Sequence, residues 1–137
     1  MITSRGARHD RPVAELMTGL SRRRRRRLLG QMSATEVSSG QVLTEQGARG
    51  REFFVLTGGH VEVRVDGEPV AEVEPGDFFG EISLLSGLPR TATVVAGEDA
   101  TLEVMNRREF ATVLDMWPAF ALEVEKQATL RMIACSH

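Results

Sequence analysis

Residues Gly80 to Thr93, read as Gly-Glu-Ile-Ser-Leu-Leu-Ser-Gly-Leu-Pro-Arg-Thr-Ala-Thr, constrain this chain more than any other stretch. Glu81 and Arg90 stand either side of a helix-compatible apolar turn followed by Ser86-Gly87-Leu88-Pro89, a run of turn formers, so the segment is expected to fold back on itself. A short helix opening at Gly80 or Glu81 leaves its first N–H groups unpaired and aimed at one spot. A phosphate binds well there because the helix dipole favours negative charge. Gly80 permits close approach, and Arg90 supplies a planar, permanently charged fork that matches phosphate oxygens. Glu81 only accepts hydrogen bonds, so beside an anion it suits a neighbouring hydroxyl such as that of a ribose. Thr91 adds a hydroxyl and Ala92 an N–H. The stretch predicts a pocket for a small anion.

Phe79 to Leu84 and Pro89 to Val94, preceded by Pro75-Gly76-Asp77-Phe78, resemble the phosphate-binding cassette of the cyclic nucleotide-binding domain family. That family includes catabolite activator proteins, protein kinase A regulatory subunits and cyclic-nucleotide-gated channels. Both halves of its pattern, Phe-Gly-Glu-aliphatic-Ser/Ala-Leu and Pro/Arg-Arg-Thr/Ser-Ala-Thr/Ser-Val, occur without departure. The resemblance implies a cyclic AMP or cyclic GMP site built from Phe79, Gly80, Glu81, Ile82, Ser83, Arg90, Thr91 and Ala92. Gly80 and Glu81 would hold the ribose 2′-hydroxyl, and Arg90, Thr91 and the Ala92 amide the cyclic phosphate. Thr91 suits either base. The family's last helix caps the base, which makes Leu130, Arg131 and Met132 the candidates here, and it often pairs with its twin in a homodimer.

The remainder of the chain reads as a mainly β, α+β domain. In residues 60–66, Val61, Val63 and Val65 alternate with polar residues, the period of a half-buried strand, and Asp66-Gly67 marks a turn into a strand over 70–73. Further strands are expected over 41–44, 52–57, 91–96 and 101–105. Many short strands at close spacing predict an antiparallel β-roll or barrel, and the resemblance implies the roll, jelly-roll-like, flanked by N-terminal helices and two C-terminal helices. Ser21 is expected to cap a helix running to about residue 32. Asn106 and Glu109 form a capping-box pair opening a helix over 107–116. Trp117-Pro118 breaks it before a last helix over 118–137. Residues 1–19 read as a basic lead-in with a short helix over 10–19, and 20–137 as the cyclic nucleotide-binding domain.

The formal net charge of −2 hides an asymmetry. Residues 1–31 hold nine arginines against Asp10 and Glu15, a net +7, whereas the rest is a net −9. Six arginines in a row, Arg22 to Arg27, cover every face of a helix, so they are expected either to lie along the domain and pair with its acidic residues or to meet an acidic partner, a lipid or a nucleic acid. Such a role for Arg22–Arg27 without a ligand in the pocket is the alternative function. No Ser, Cys and His arrangement suggests a nucleophile, and a phosphodiesterase using Glu81 would want a metal, for which His60 has no companion ligand. The expectation is therefore a non-enzymatic sensor with no cofactor beyond its nucleotide and no metal. The lone Cys135 forms no disulfide framework within the chain, no apolar run reaches the length of a membrane span, and arginines replace the core of a signal peptide, so the expected home is the cytoplasm.

Overall fold

The structure, a computed structural model, describes residues 21–135, without the side chains of Arg25, Leu29, Ile133, Ala134 and Cys135. The expected lead-in, the short helix over 10–19 and the surroundings of the cysteine lie outside it. In chain order the elements are α1 (Arg22–Leu29), β1 (Ser33–Val37), β2 (Val42–Thr44), β3 (Glu52–Gly58), β4 (Val61–Val65), β5 (Glu68–Val73), β6 (Phe78–Phe79), α2 (Glu81–Ser86), β7 (Thr93–Ala96), β8 (Ala100–Asn106), α3 (Arg107–Met116) and α4 (Pro118–Cys135). The strands form two antiparallel four-stranded sheets, ordered β1-β8-β3-β6 and β2-β7-β4-β5. The mainly β roll with flanking helices is the architecture that the resemblance implies, and one of the two, roll or barrel, that the strand spacing predicts.

Strand β3 explains why the molecule has two cores. Successive side chains of a strand point to opposite faces, and Phe53, Phe54, Val55 and Leu56 are all buried. Phe53 and Val55 join Leu28, Phe78, Met105, Phe110, Val113, Trp117, Phe120 and Val124 beneath the helices, whereas Phe54 and Leu56 join Val61, Phe79, Val94 and Leu102 in the other core. The Phe53 ring stacks on Phe110 with centroids 4.7 Å apart and meets Phe120 edge-on at 5.8 Å. Thus one strand carries both the body of the roll and the platform for α3 and α4.

The local signals act as their chemistry dictates. Asp66 and Gly67 both take positive φ, 53° and 83°, the two-residue turn that joins β4 to β5 without splaying them. The Asn106 side chain accepts from the Glu109 N–H at 2.8 Å while the Glu109 carboxylate accepts from the Asn106 N–H at 2.9 Å, so α3 starts where the capping pair places it. Ser21 caps α1 by accepting from the Arg24 N–H, but the helix stops at Leu29, before the expected residue 32, and the chain passes through Gly30 into β1. β1 and β6 escape sequence reading. The former is exposed except at Val37 and pairs along the edge of its sheet with β8. The latter is two residues long and is recognisable only through its pairing with β3. β5 begins at Glu68, two residues early, and β7 begins at Thr93, two residues late, because Thr91 and Ala92 bend into the site instead of joining the sheet. No described helix is long and apolar enough to cross a membrane.

Candidate ligand-binding site

Two glycines bound α2. Gly80 takes φ 95° at its start and Gly87 φ 76° at its end, where the Gly87 N–H returns to the Ser83 carbonyl at 2.9 Å. A Cβ at Gly80 would lie 2.8 Å from the Glu52 carbonyl oxygen and 3.1 Å from Arg90 Nη1, so both conformation and space demand glycine there. This tight start turns the first residues of α2 inward: Glu81 is 1% exposed and Ser83 is buried with it.

Arg90 arrives from the other side of the loop and is 8% exposed. Its Nη1 donates to the Gly80 carbonyl at 2.9 Å and its Nη2 to the Glu52 carbonyl at 2.7 Å, with the guanidinium 5.9 Å from the centre of the Phe54 ring. A guanidinium has five N–H donors, so these two bonds fix its plane and leave further donors for a ligand. Its backbone is clamped as well, since the Arg90 N–H donates to the Ala48 carbonyl and the Gly47 N–H to the Arg90 carbonyl. Burial lowers the proton affinity of the guanidinium, and the carboxylates of Glu52 and Glu81 act in the opposite sense. Arginine remains charged through this range of influence, which leaves a partly desolvated cation facing the interior.

Glu81 is met from α4. Arg131 Nη1 lies 2.9 Å from both carboxylate oxygens of Glu81 and donates to the Phe78 carbonyl at 2.9 Å, while Nη2 sits 3.5 Å from Asp77. The Arg131 guanidinium also lies 5.2 Å from the Phe78 ring centre. The last helix is thereby tied to the first residue of α2 by a charge pair whose acidic member is buried and whose basic member is 30% exposed.

These groups surround a cavity of about 540 Å³. Phe79, Gly80, Glu81, Ile82, Ser83, Arg90, Thr91 and Ala92, the eight residues expected from the sequence, all line it. Val63, Val65, Val70 and Val73 of the β4–β5 hairpin supply an apolar wall, and Thr44 closes one side while its hydroxyl donates to the Ala92 carbonyl. Of the three residues expected near a base, Arg131 lines the cavity. Leu130 and Met132 are 52% and 41% exposed and lie off its wall. Beyond Arg131 a second recess, about 690 Å³, is bordered by Glu62, Glu72, Glu74, Asp77 and Gln127.

Sequence reasoning missed Thr44, the hairpin valines and Gly50. A Cβ on Gly50 would collide with the Ser83 side chain and come within 2.9 Å of Arg90 Cζ, so this glycine makes room for the guanidinium. Val63 and Val65 had a signal, their common face on an alternating strand; Gly50 had only its place in a glycine-bearing turn. His60 lies against Gly97 and near Glu98, and no group of three His, Cys, Asp or Glu among the described residues is arranged to hold a metal. The arrangement offers a fixed cation suited to an anion, a buried carboxylate suited to a hydroxyl, and an apolar wall suited to a flat ring.

Comparison with known proteins places the chain in a family. The chain is 38% identical over 108 residues to the cAMP-dependent protein kinase regulatory subunit of Mycosarcoma maydis, covering 72% of this chain and 21% of that protein. It is 37% identical over 111 residues to acetyltransferase Pat of Mycolicibacterium smegmatis, covering 78% and 33%. The chain thus spans about a fifth to a third of the length of these relatives. The crystal structure of the Thermus thermophilus catabolite activator protein superposes with a TM-score of 0.75 at 25% identity, over 88% of this chain and 59% of that one. With the profile described as cyclic nucleotide-binding domain matching residues 34–116, the chain belongs to the cyclic nucleotide-binding domain family.

Proposed function

We propose that this domain is a cytoplasmic sensor that binds a purine 3′,5′-cyclic nucleotide, cyclic AMP or cyclic GMP, and transmits its occupancy through α4. The observation that carries the proposal is the convergence of all eight cassette residues on one cavity, with Arg90 held in a fixed plane and Glu81 buried beside it. The cyclic phosphate is assigned to the Arg90 guanidinium, the Thr91 hydroxyl and the amides of Ala92 and the first turn of α2. The ribose 2′-hydroxyl is assigned to Glu81, and the base to the valine wall of β4 and β5. The name of the Mycosarcoma maydis relative favours cyclic AMP, and Thr91 accommodates both bases.

The Arg131–Glu81 pair gives the signal a route. A ribose hydroxyl donating to Glu81 shares the carboxylate with Arg131, so occupancy alters the contact that holds α4 against the cassette. Capping of the base by Leu130 or Met132 requires the end of α4 to turn, because both side chains now face solvent. Leu122 is exposed on the same helix and, with Leu130, offers an apolar surface through which a second copy would pair. Near-complete conversion between two helix positions requires a ligand preference of about 5.5 kcal/mol. The role is regulatory, with no bond made or broken.

Displacement of a fluorescent cyclic nucleotide by cyclic AMP, cyclic GMP and the 2′-deoxy analogue of each tests the assignment. The reading expects saturable displacement by at least one natural nucleotide and weaker displacement by its deoxy form. Equal competition by the deoxy form removes Glu81 from the ribose, and failure of both natural nucleotides to displace the probe removes the sensor.

A further inference from the structure

The described residues lining the cavity include none from α1, and nothing among the described residues accounts for its composition. Leu28 is 1% exposed and packs in the helix-side core, which seats the helix on the body of the protein. Arg22, Arg23, Arg24, Arg26 and Arg27 are all exposed. At about 100° per residue their directions fall within one arc of about 200°, with Leu28 outside it. The ion pairs among the described residues involve other cations, and the first turn of α1 contains no acidic residue. Arginines three and four apart repel one another, and those in the first turn oppose the helix dipole. The helix therefore carries an electrostatic cost that nothing described in the chain offsets.

We propose that α1 is a docking ridge for duplex DNA, with its arginines gripping the phosphates on both sides of a groove. A helix with its side chains is about 10–12 Å across, and eight residues span about 12 Å, which suits the B-form major groove, about 12 Å wide. A convex arc of cations about 200° wide engages phosphates on two walls at once, and the guanidinium fork matches each phosphate. A bilayer is flat and meets only the crest of such an arc. Helices that lie on membranes insert an apolar face, whereas Leu28 is committed to the core. Single strands are gripped by aromatic stacking, and α1 has no aromatic residue. The acidic remainder of the chain repels a polyanion, which confines contact to this ridge.

Fluorescence anisotropy of a labelled duplex, titrated with the full chain over a range of salt concentrations, tests this. Five phosphate contacts give a slope of log affinity on log salt near about −4.5, or about a 500-fold loss between 50 and 200 mM salt. Combined replacement of Arg22, Arg23, Arg24, Arg26 and Arg27 by glutamine, a good helix former, abolishes duplex binding, leaves cyclic nucleotide displacement unchanged and does not lower the melting temperature. Arg23→Gln alone lowers the slope by about 0.9. The proposal is overturned if the fivefold variant binds duplex as well as the parent, or if a single strand of equal length binds as tightly. It is overturned equally by binding to phosphatidylserine vesicles without duplex binding, or by salt-sensitive self-association without duplex binding.

Discussion

Arg90 holds together two backbone segments and, in the proposed function, the ligand. Its Nη1 and Nη2 satisfy the Gly80 and Glu52 carbonyls, so the same side chain that faces the cavity also joins the cassette to β3. Arg90→Ala is expected to weaken cyclic nucleotide binding by about 3–5 kcal/mol, read by calorimetry, because a desolvated phosphate is left without its cation. Arg90→Lys does not restore the affinity, since a point charge cannot keep both carbonyl bonds and the phosphate in one plane. A loss below tenfold for the alanine variant refutes the phosphate assignment. Glu81→Ala is expected to cost about 1–3 kcal/mol of affinity and to abolish discrimination against the 2′-deoxy nucleotide. Gly50 provides a subtler check. Gly50→Ala pushes a methyl into Ser83 and the Arg90 guanidinium, and is expected to destabilise the fold by about 1–3 kcal/mol in urea unfolding and to weaken the nucleotide with it. Affinity equal to that of the parent separates Gly50 from the site. The places of Arg90 and Glu81 on the cavity were expected because both fall in a segment whose two halves resemble the family's cassette; the pair alone would read equally as a structural ion pair beside a turn. Gly50 was not, because its role lies in a contact with residues more than thirty positions away.

Among the elements, α4 couples to the cassette through Arg131, which pairs with Glu81 and Asp77 and donates to the Phe78 carbonyl. Removing the guanidinium in Arg131→Ala leaves a carboxylate that is 1% exposed without its partner, which is expected to lower stability by about 1–3 kcal/mol. Amide exchange over residues 125–135 should quicken selectively; unchanged exchange there means that the helix is held by Phe120 and Val124 alone. Legibility at this scale followed locality. The limits of α3 are written in Asn106 and Glu109, three residues apart, and in the Trp117-Pro118 break, so sequence and structure agree on Arg107–Met116. β1 has no such mark, because Ser33, Ala34, Thr35 and Glu36 are all exposed and only their distant partner β8 makes them a strand. β7 begins late for a related reason: Thr91 and Ala92 have strand-forming neighbours but are drawn to the cavity. The phase of α4 could not be read from its sequence, whose apolar residues do not keep to one face, and so the inward position of Arg131 against the outward Leu130 and Met132 emerged only from packing.

For the whole molecule, two cores share β3, so the ligand cavity in the roll and the helices that would report on it are mechanically continuous. Adjacent residues of β3 serve the two sides: Phe53 touches Phe78, Phe110 and Phe120 in the helix-side core, and Phe54 stacks on Phe79 in the other. A ligand that binds only the folded domain adds about 2.7 kcal/mol at a hundredfold excess over Kd, which should appear as a rise in melting temperature with cyclic nucleotide. The most direct test of the central claim is a calorimetric titration of the domain with cyclic AMP and with cyclic GMP. The account predicts a saturable one-site heat for at least one of them, lost in Arg90→Ala. The absence of heat with both, from protein that melts cooperatively, would contradict it.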